Sequence, residues 1–172
     1  MGEVYMEQEQ SRVLLRQWLK TQDKADKVYV SLLKRFKLNK ALFFALDFLR
    51  SHPDGVEPSV LAQSLGLMRQ MITIVLNDMD SQGFIMRKER EDDHRRKIIR
   101  LSEKGSAFAG KVCKEFEDFD LSALSVFSPD ELRNLVEYTN RFYEKIKKQL
   151  EASKYRAFAY DISNRNFKNK PV

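Results

Sequence analysis

The stretch LAQSLGLMRQMITIVLNDMDSQGFIMRKEREDDHRRKIIRL, Leu61 to Leu101, decides the fold. Its first half reads as a short helix, a turn at Gly66 and a second helix. In that second helix Ile72, Val75, Leu76 and Met79 fall at i, i+3, i+4 and i+7, the spacing of one buried stripe. Arg69, Gln70, Thr73, Ile74 and Asn77 fall on the opposite side. They offer donors and acceptors suited to base edges, and one apolar side chain of a kind that meets a thymine methyl. From Met68 to Gln82 such a helix is roughly 20 Å long at 1.5 Å per residue, and its diameter suits a major groove. Gly83 then ends it, because glycine tolerates a left-handed C-terminal turn.

Two β-prone segments follow, Phe84-Ile85-Met86-Arg87-Lys88 and Lys97-Ile98-Ile99-Arg100-Leu101. Between them Glu89 to Arg96 is too polar to bury. A helix-turn-helix followed at once by a two-stranded ribbon with a charged tip is a winged helix. The tip of such a wing enters a minor groove, where an arginine is attracted by the phosphates of both walls.

The segment resembles the winged helix-turn-helix of the MarR family of bacterial transcription regulators, in register without gaps from Leu61 to Gly105. The resemblance lies in Leu61-Ala62-Gln63-Ser64-Leu65-Gly66-Leu67, in Asp93-His94-Arg95 at the wing tip, and in Arg100-Leu101-Ser102-Glu103-Lys104-Gly105. It implies that Arg95 reaches the minor groove and that Asp93 positions it. Two positions depart from the family pattern. Met68 stands where a serine usually caps the recognition helix, so that cap is missing. Ile74 stands where a polar or basic residue is common, which changes the expected base preference.

Composition bounds the rest. A chain of 172 residues is one domain, or one domain with arms. The net charge of +6 favours an anionic partner only weakly, since much of the basic charge sits beside Glu and Asp. The single cysteine, Cys113, excludes an intramolecular disulfide and fits a reducing cytoplasm. No secretory signal and no apolar run near the roughly 20 residues of a membrane span is read, so no membrane partner is expected.

Along the chain, Leu14, Trp18, Thr21, Ala25, Leu32 and Phe36 mark a helix over about Glu7 to Phe36. It is too long for one small winged domain to cover. Asn39 caps a helix over Lys40 to Ser51, His52-Pro53-Asp54-Gly55 is a turn, and Val56 forms a short strand beside the wing. Pro58 opens the first helix of the helix-turn-helix. Ser102 caps a helix from Glu103 to about Leu124, and Ser128-Pro129-Asp130-Glu131 starts another with a capping box. The fold class is therefore mainly α with a small β-wing (α+β). Residues 7–36 and 103–150 form a helical dimerisation domain, 38–102 the winged helix-turn-helix domain, and 153–172 a basic and aromatic C-terminal extension. Resemblance and physics agree on the homodimer, because long apolar stripes without a partner expose more than a soluble monomer tolerates.

The candidate DNA-binding residues are Arg69, Gln70, Thr73, Ile74 and Asn77 on the helix, and Lys88, Arg90, Asp93, His94, Arg95, Arg96 and Lys97 on the wing. The plainer reading of each is a solvated side chain, with the wing cations paired to Glu89, Glu91 or Asp92. His94, when charged, adds to phosphate attraction, so DNA affinity is expected to fall modestly above pH 7. The resemblance implies an effector pocket for a small aromatic or phenolic ligand where the reading module meets the helices. Trp18, Tyr29, Phe36, Phe43 and Phe44 are its candidates, and ordinary core is the alternative. In some family members a first-helix cysteine senses oxidants; this chain has none there, and Cys113 reads as a packed thiol. No metal set, cofactor motif or enzyme motif is read, so no catalytic residue and no cofactor is assigned. The function expected is a dimeric, pseudo-palindrome-binding regulator, a repressor by family habit. A protein-interaction winged helix and a structural DNA-binding protein without sequence preference are the alternatives.

Overall fold

The computed structural model describes residues 8–89 and 97–152. It divides into two units, Met1–Glu117 and Asp118–Val172. Within the first lie α1 (Gln8–Arg35), α2 (Lys40–Arg50), α3 (Pro58–Ser64), α4 (Arg69–Ser81), β1 (Ile85–Glu89), β2 (Lys97–Leu101) and most of α5 (Glu103–Leu124). The second holds the end of α5 and α6 (Pro129–Glu151).

Helix boundaries follow local chemistry. Lys37 adopts a left-handed φ of 57° after α1, and the Leu38 amide closes the end by donating to the Leu33 carbonyl at 3.1 Å. The Asn39 side-chain oxygen accepts from the Leu42 amide at 2.9 Å and starts α2, as expected. Pro58 occupies the first turn of α3. Helix α4 has Met68 and Gln82 as its caps, one residue inside the expected span at each end. Gly83, at φ 71°, turns the chain out of it.

The stripe read from the sequence is the buried one: Ile72, Val75, Leu76 and Met79 all lie in the core. They pack with Leu42, Ala45, Leu46 and Leu49 of α2, Leu61 of α3, and Ile85 and Ile99 of the ribbon. Truncating any of the fully buried large members to alanine costs about 2–5 kcal/mol. The strands pair antiparallel, with Ile85 opposite Leu101, Arg87 opposite Ile99 and Glu89 opposite Lys97. Val56 makes an isolated bridge to Ile99 through paired bonds of 2.9 and 2.8 Å, a single residue in place of the expected short strand.

Phe84 does not join the strand as expected. Its carbonyl instead accepts from the Ser102 amide at 2.9 Å, and its ring stacks on Phe108 of α5 at 4.6 Å. Ser102 caps α5 by accepting from the Gly105 amide at 2.9 Å, while its hydroxyl donates to the Gly83 carbonyl at 2.7 Å. Lys104 donates to the Gln82 carbonyl at 2.7 Å. The carbonyls at the end of α4 are thus satisfied by the start of α5.

In the second unit, Ser128 and Glu131 form the expected capping box. The Glu131 carboxyl is held below its usual range, first by the Ser128 amide and then by its hydroxyl. No residue of α6 is buried, and Leu135, Val136, Phe142, Ile146 and Leu150 are exposed on it.

Two glycines of α5 should separate in a mutational test. A Cβ on Gly105 would lie 1.9 Å from the Phe84 carbonyl oxygen, whereas one on Gly110 meets nothing within 4 Å. Gly105→Ala is expected to lower the melting temperature sharply, with several kcal/mol lost as the joint opens. Gly110→Ala should be neutral or add about 0.5–1 kcal/mol, since alanine restricts the unfolded chain. Equal thermal shifts for the two variants would contradict the close approach.

Candidate nucleic-acid interface

Helix α4 turns Arg69, Gln70, Thr73, Ile74 and Asn77 to solvent together, on the side away from its buried stripe. The predicted reading face is therefore one surface. Its polar groups are not equally available. The Thr73 hydroxyl donates to the Arg69 carbonyl one turn back, at 2.9 Å. The Asn77 side-chain oxygen accepts from the Arg87 guanidinium at 3.2 Å.

Arg87 was not among the residues singled out from sequence. It lies in β1 opposite Ile99, on the same face of the ribbon as Ile85, and so points at α4. Its guanidinium contacts the Asn77 side chain, the Asp80 carboxylate at 3.2 Å and the Leu76 carbonyl at 3.5 Å. The signal was present in parity. Strand residues alternate faces, and Asn77 and Asp80 are three apart on one side of a helix. A basic residue at an inward strand position needs such a partner.

Lys88 lies on the other face of β1, and Lys97 starts β2 opposite Glu89. Arg90, Asp93, His94, Arg95 and Arg96 lie outside the described residues, as does the 153–172 extension. The ladder reaches Glu89 and Lys97 on either side of the wing tip, which is where the sequence places the charged loop.

At the N-terminus of α4, Met68 has the extended backbone of a cap, φ −67° and ψ 152°, but no side-chain bond. The departure from a serine thus leaves the first amides of α4 without a side-chain acceptor.

The aromatic candidates separate. Tyr29 and Phe36 each have ring centroids 6.4 Å from Phe116, and Phe43 stacks on the same ring at 4.4 Å. Phe44 meets Phe43 edge-on at 5.5 Å and stays half exposed. Trp18 is exposed on α1, about 16 Å along the helix from Tyr29 at 1.5 Å per residue. The structure therefore gathers Tyr29, Phe36 and Phe43 around Phe116. Phe116 of α5, which was not among the candidates, is the centre of this cluster.

Cys113 donates to the Asp47 carboxylate at 3.5 Å, and Arg50 binds that carboxylate at 3.0 Å. Burial, and then the negative Asp47, push the thiol above its ordinary range. Among the described residues no single helix is long and apolar enough to cross a membrane.

Comparison with known proteins gives three matches of note. The transcriptional repressor MprA of Escherichia coli (strain K12) is 34% identical over 82 residues, 47% of this chain and 47% of that protein. The chain thus spans about half the length of this curated relative. The fold matches NMB1585, a MarR family regulator from Neisseria meningitidis, with a TM-score of 0.64 and 21% identity over 80% of this chain and 96% of that one. It also matches the transcriptional repressor CouR bound to a 23-mer DNA duplex, with a TM-score of 0.68 and 21% identity over 83% and 99%. No family model matches the chain.

Two measurements test the local chemistry. Met68→Ser places an acceptor on a backbone already in cap geometry, and should raise stability to denaturant by about 0.5–2 kcal/mol; an unchanged midpoint would refute the missing cap. Because the Cys113 thiol titrates above its usual range, its alkylation at pH 8 should be slower than that of a cysteine peptide. The rate should climb only as pH rises further. Peptide-like reactivity at pH 8 would overturn that assignment.

Proposed function

We propose that this chain, whose fold matches that of solved winged-helix regulators, is a homodimeric DNA-binding transcriptional regulator of the MarR type that acts at pseudo-palindromic promoter sites. The observation that carries the reading is the exposed face of α4, held to the wing by Arg87 so that helix and ribbon present as one body. Two such bodies related by a two-fold axis enter successive major grooves about 34–36 Å apart. Arg69 and Gln70 lead the base contacts, with Thr73, Ile74 and Asn77 beside them. Arg95 holds the flanking minor groove and Asp93 orients it. Lys88, Arg90, His94, Arg96 and Lys97 act on phosphates. The likeness to CouR, a repressor bound to a duplex, supports this use of the fold.

The second copy covers the apolar faces of α1 and α6. Leu14, Trp18 and Leu19 on one, and Leu135, Phe142, Ile146 and Leu150 on the other, are exposed in a single chain. Such stripes mark association surfaces. Output by this reading is repression, the bound dimer blocking the promoter in the cytoplasm. A small aromatic or phenolic ligand releases it by favouring one arrangement of the reading heads over another. Tyr29, Phe36, Phe43 and Phe44 border the ligand's place, with Trp18 more distant on α1.

Selection from a randomised duplex pool is the test. The expected product is a pseudo-palindrome, bound by a dimer in sedimentation, with affinity falling steeply as salt rises because counterions are released. Arg95→Ala should weaken binding strongly with the fold intact. A monomer indifferent to duplexes in dilute buffer, or a flat salt response, would favour a protein-interaction module. Binding without sequence enrichment would favour a structural DNA-binding protein.

A further inference from the structure

Hydrogen-bonding capacity on the reading face is reduced in a specific way. Arginine has donors and no acceptor, so the Arg87 guanidinium fixes which end of the Asn77 amide it meets. The oxygen faces Arg87, and the amide nitrogen is left for other partners. An asparagine reads adenine by accepting from N6 while donating to N7. With one lone pair of its oxygen held by Arg87, Asn77 has its amide nitrogen as the readier group for a base. The Thr73 hydroxyl hydrogen is likewise committed to the Arg69 carbonyl.

One turn before Asn77 stands Ile74, 69% exposed and more so than Met71 on α4 or the cap residue Met68. Residues three apart on a helix lie about 5–6 Å from each other at Cβ. This part of the face therefore presents an apolar group next to an amide donor. In the major groove only thymine offers the complement, a C5-methyl beside the O4 acceptor. Cytosine presents a donor to Asn77 and no methyl to Ile74. Guanine presents acceptors without a methyl.

We propose that Ile74 and Asn77 together specify thymine in each half-site. Ile74 packs on the methyl and Asn77 donates to O4. Arg87 is a positioning residue that sets the polarity of the Asn77 amide. The inference rests on the DNA-binding reading above and names its base preference.

The probe is the set of duplexes that the full chain enriches from a randomised pool, remade with deoxyuridine in place of each thymine in turn. That exchange removes only the methyl. Wild type is expected to lose about fourfold in affinity at one thymine per half-site, the worth of one buried methylene-sized group. Ile74→Ala should bind the thymine and uridine duplexes alike. Arg87→Leu, which frees the Asn77 oxygen, should shift a fresh selection toward adenine at that position; unchanged enrichment would remove Arg87 from the account. Uridine without effect at every position in wild type, or a full uridine penalty in Ile74→Ala, overturns the thymine assignment while DNA binding stands. Failure of wild type to enrich any duplex overturns both.

Discussion

The first turn of α5 sits so close to the Phe84 carbonyl that only glycine fits at position 105. The placement of α4 against α5 depends on that approach. A helix ends with carbonyls that need donors, and a helix begins with amides that need acceptors. Here the end of α4 and the start of α5 answer each other. The Ser102 hydroxyl serves both ends at once, donating to the Gly83 carbonyl and accepting from the Gly105 amide. Lys104 adds a cation near the C-terminal dipole of α4, bonded to the Gln82 carbonyl and 5.5 Å from the Phe84 ring centroid. Each such bond contributes only about 1 kcal/mol. Together they leave α4 no rotation relative to α5 that keeps all of them.

Arg87 supplies the second constraint, from the other side of α4. An isolated two-stranded ribbon is marginal in water, so a wing needs packing to hold its direction. Ile85 and Ile99 provide the apolar part of that packing by burial against α4 and α2. Arg87 provides a directional part through Asn77, Asp80 and the Leu76 carbonyl. The pair with Asp80 is partly exposed and is worth little as a Coulomb attraction. Its contribution is geometric, since three acceptors within about one turn of α4, from Leu76, Asn77 and Asp80, fix one guanidinium.

The elements were legible in the sequence because periodicity and capping are local. The α4 stripe and the Asn39 and Ser128 caps follow from spacing within a few residues, and the strand pair from two β-prone runs flanking one polar loop. What escaped was long-range. Phe84 reads as the first strand residue by its β propensity, yet its carbonyl and ring are claimed by α5, well along the chain. Arg87 reads as one more basic residue in a ribbon until strand pairing fixes the face it occupies. The Leu101-Ser102-Glu103-Lys104-Gly105 run carried the family resemblance, but its physical meaning is a joint. Ser, Lys and Gly there each make a contact with Gln82, Gly83 or Phe84.

The Phe116 cluster gives that joint a reach beyond the reading module. Tyr29, Phe36 and Phe43 surround one ring on α5, in the region where the resemblance implies a ligand. Aromatic pairs of this kind are worth about 0.5–1.5 kcal/mol each beyond their burial. A planar ligand entering there must replace those contacts, so tight binding requires rings that part rather than rings that stay. Phe116 and Gly105 are eleven residues apart on one continuous helix, about 16 Å at 1.5 Å per residue. A displacement of Phe116 that moves α5 as a rod is felt at its first turn, where a Cβ-sized gap does not exist. The end of α4 must then follow or the joint must break. A ligand that favours separated rings would thereby favour one placement of the recognition helix, and the size of its effect is bounded by the difference in its affinity for the two arrangements.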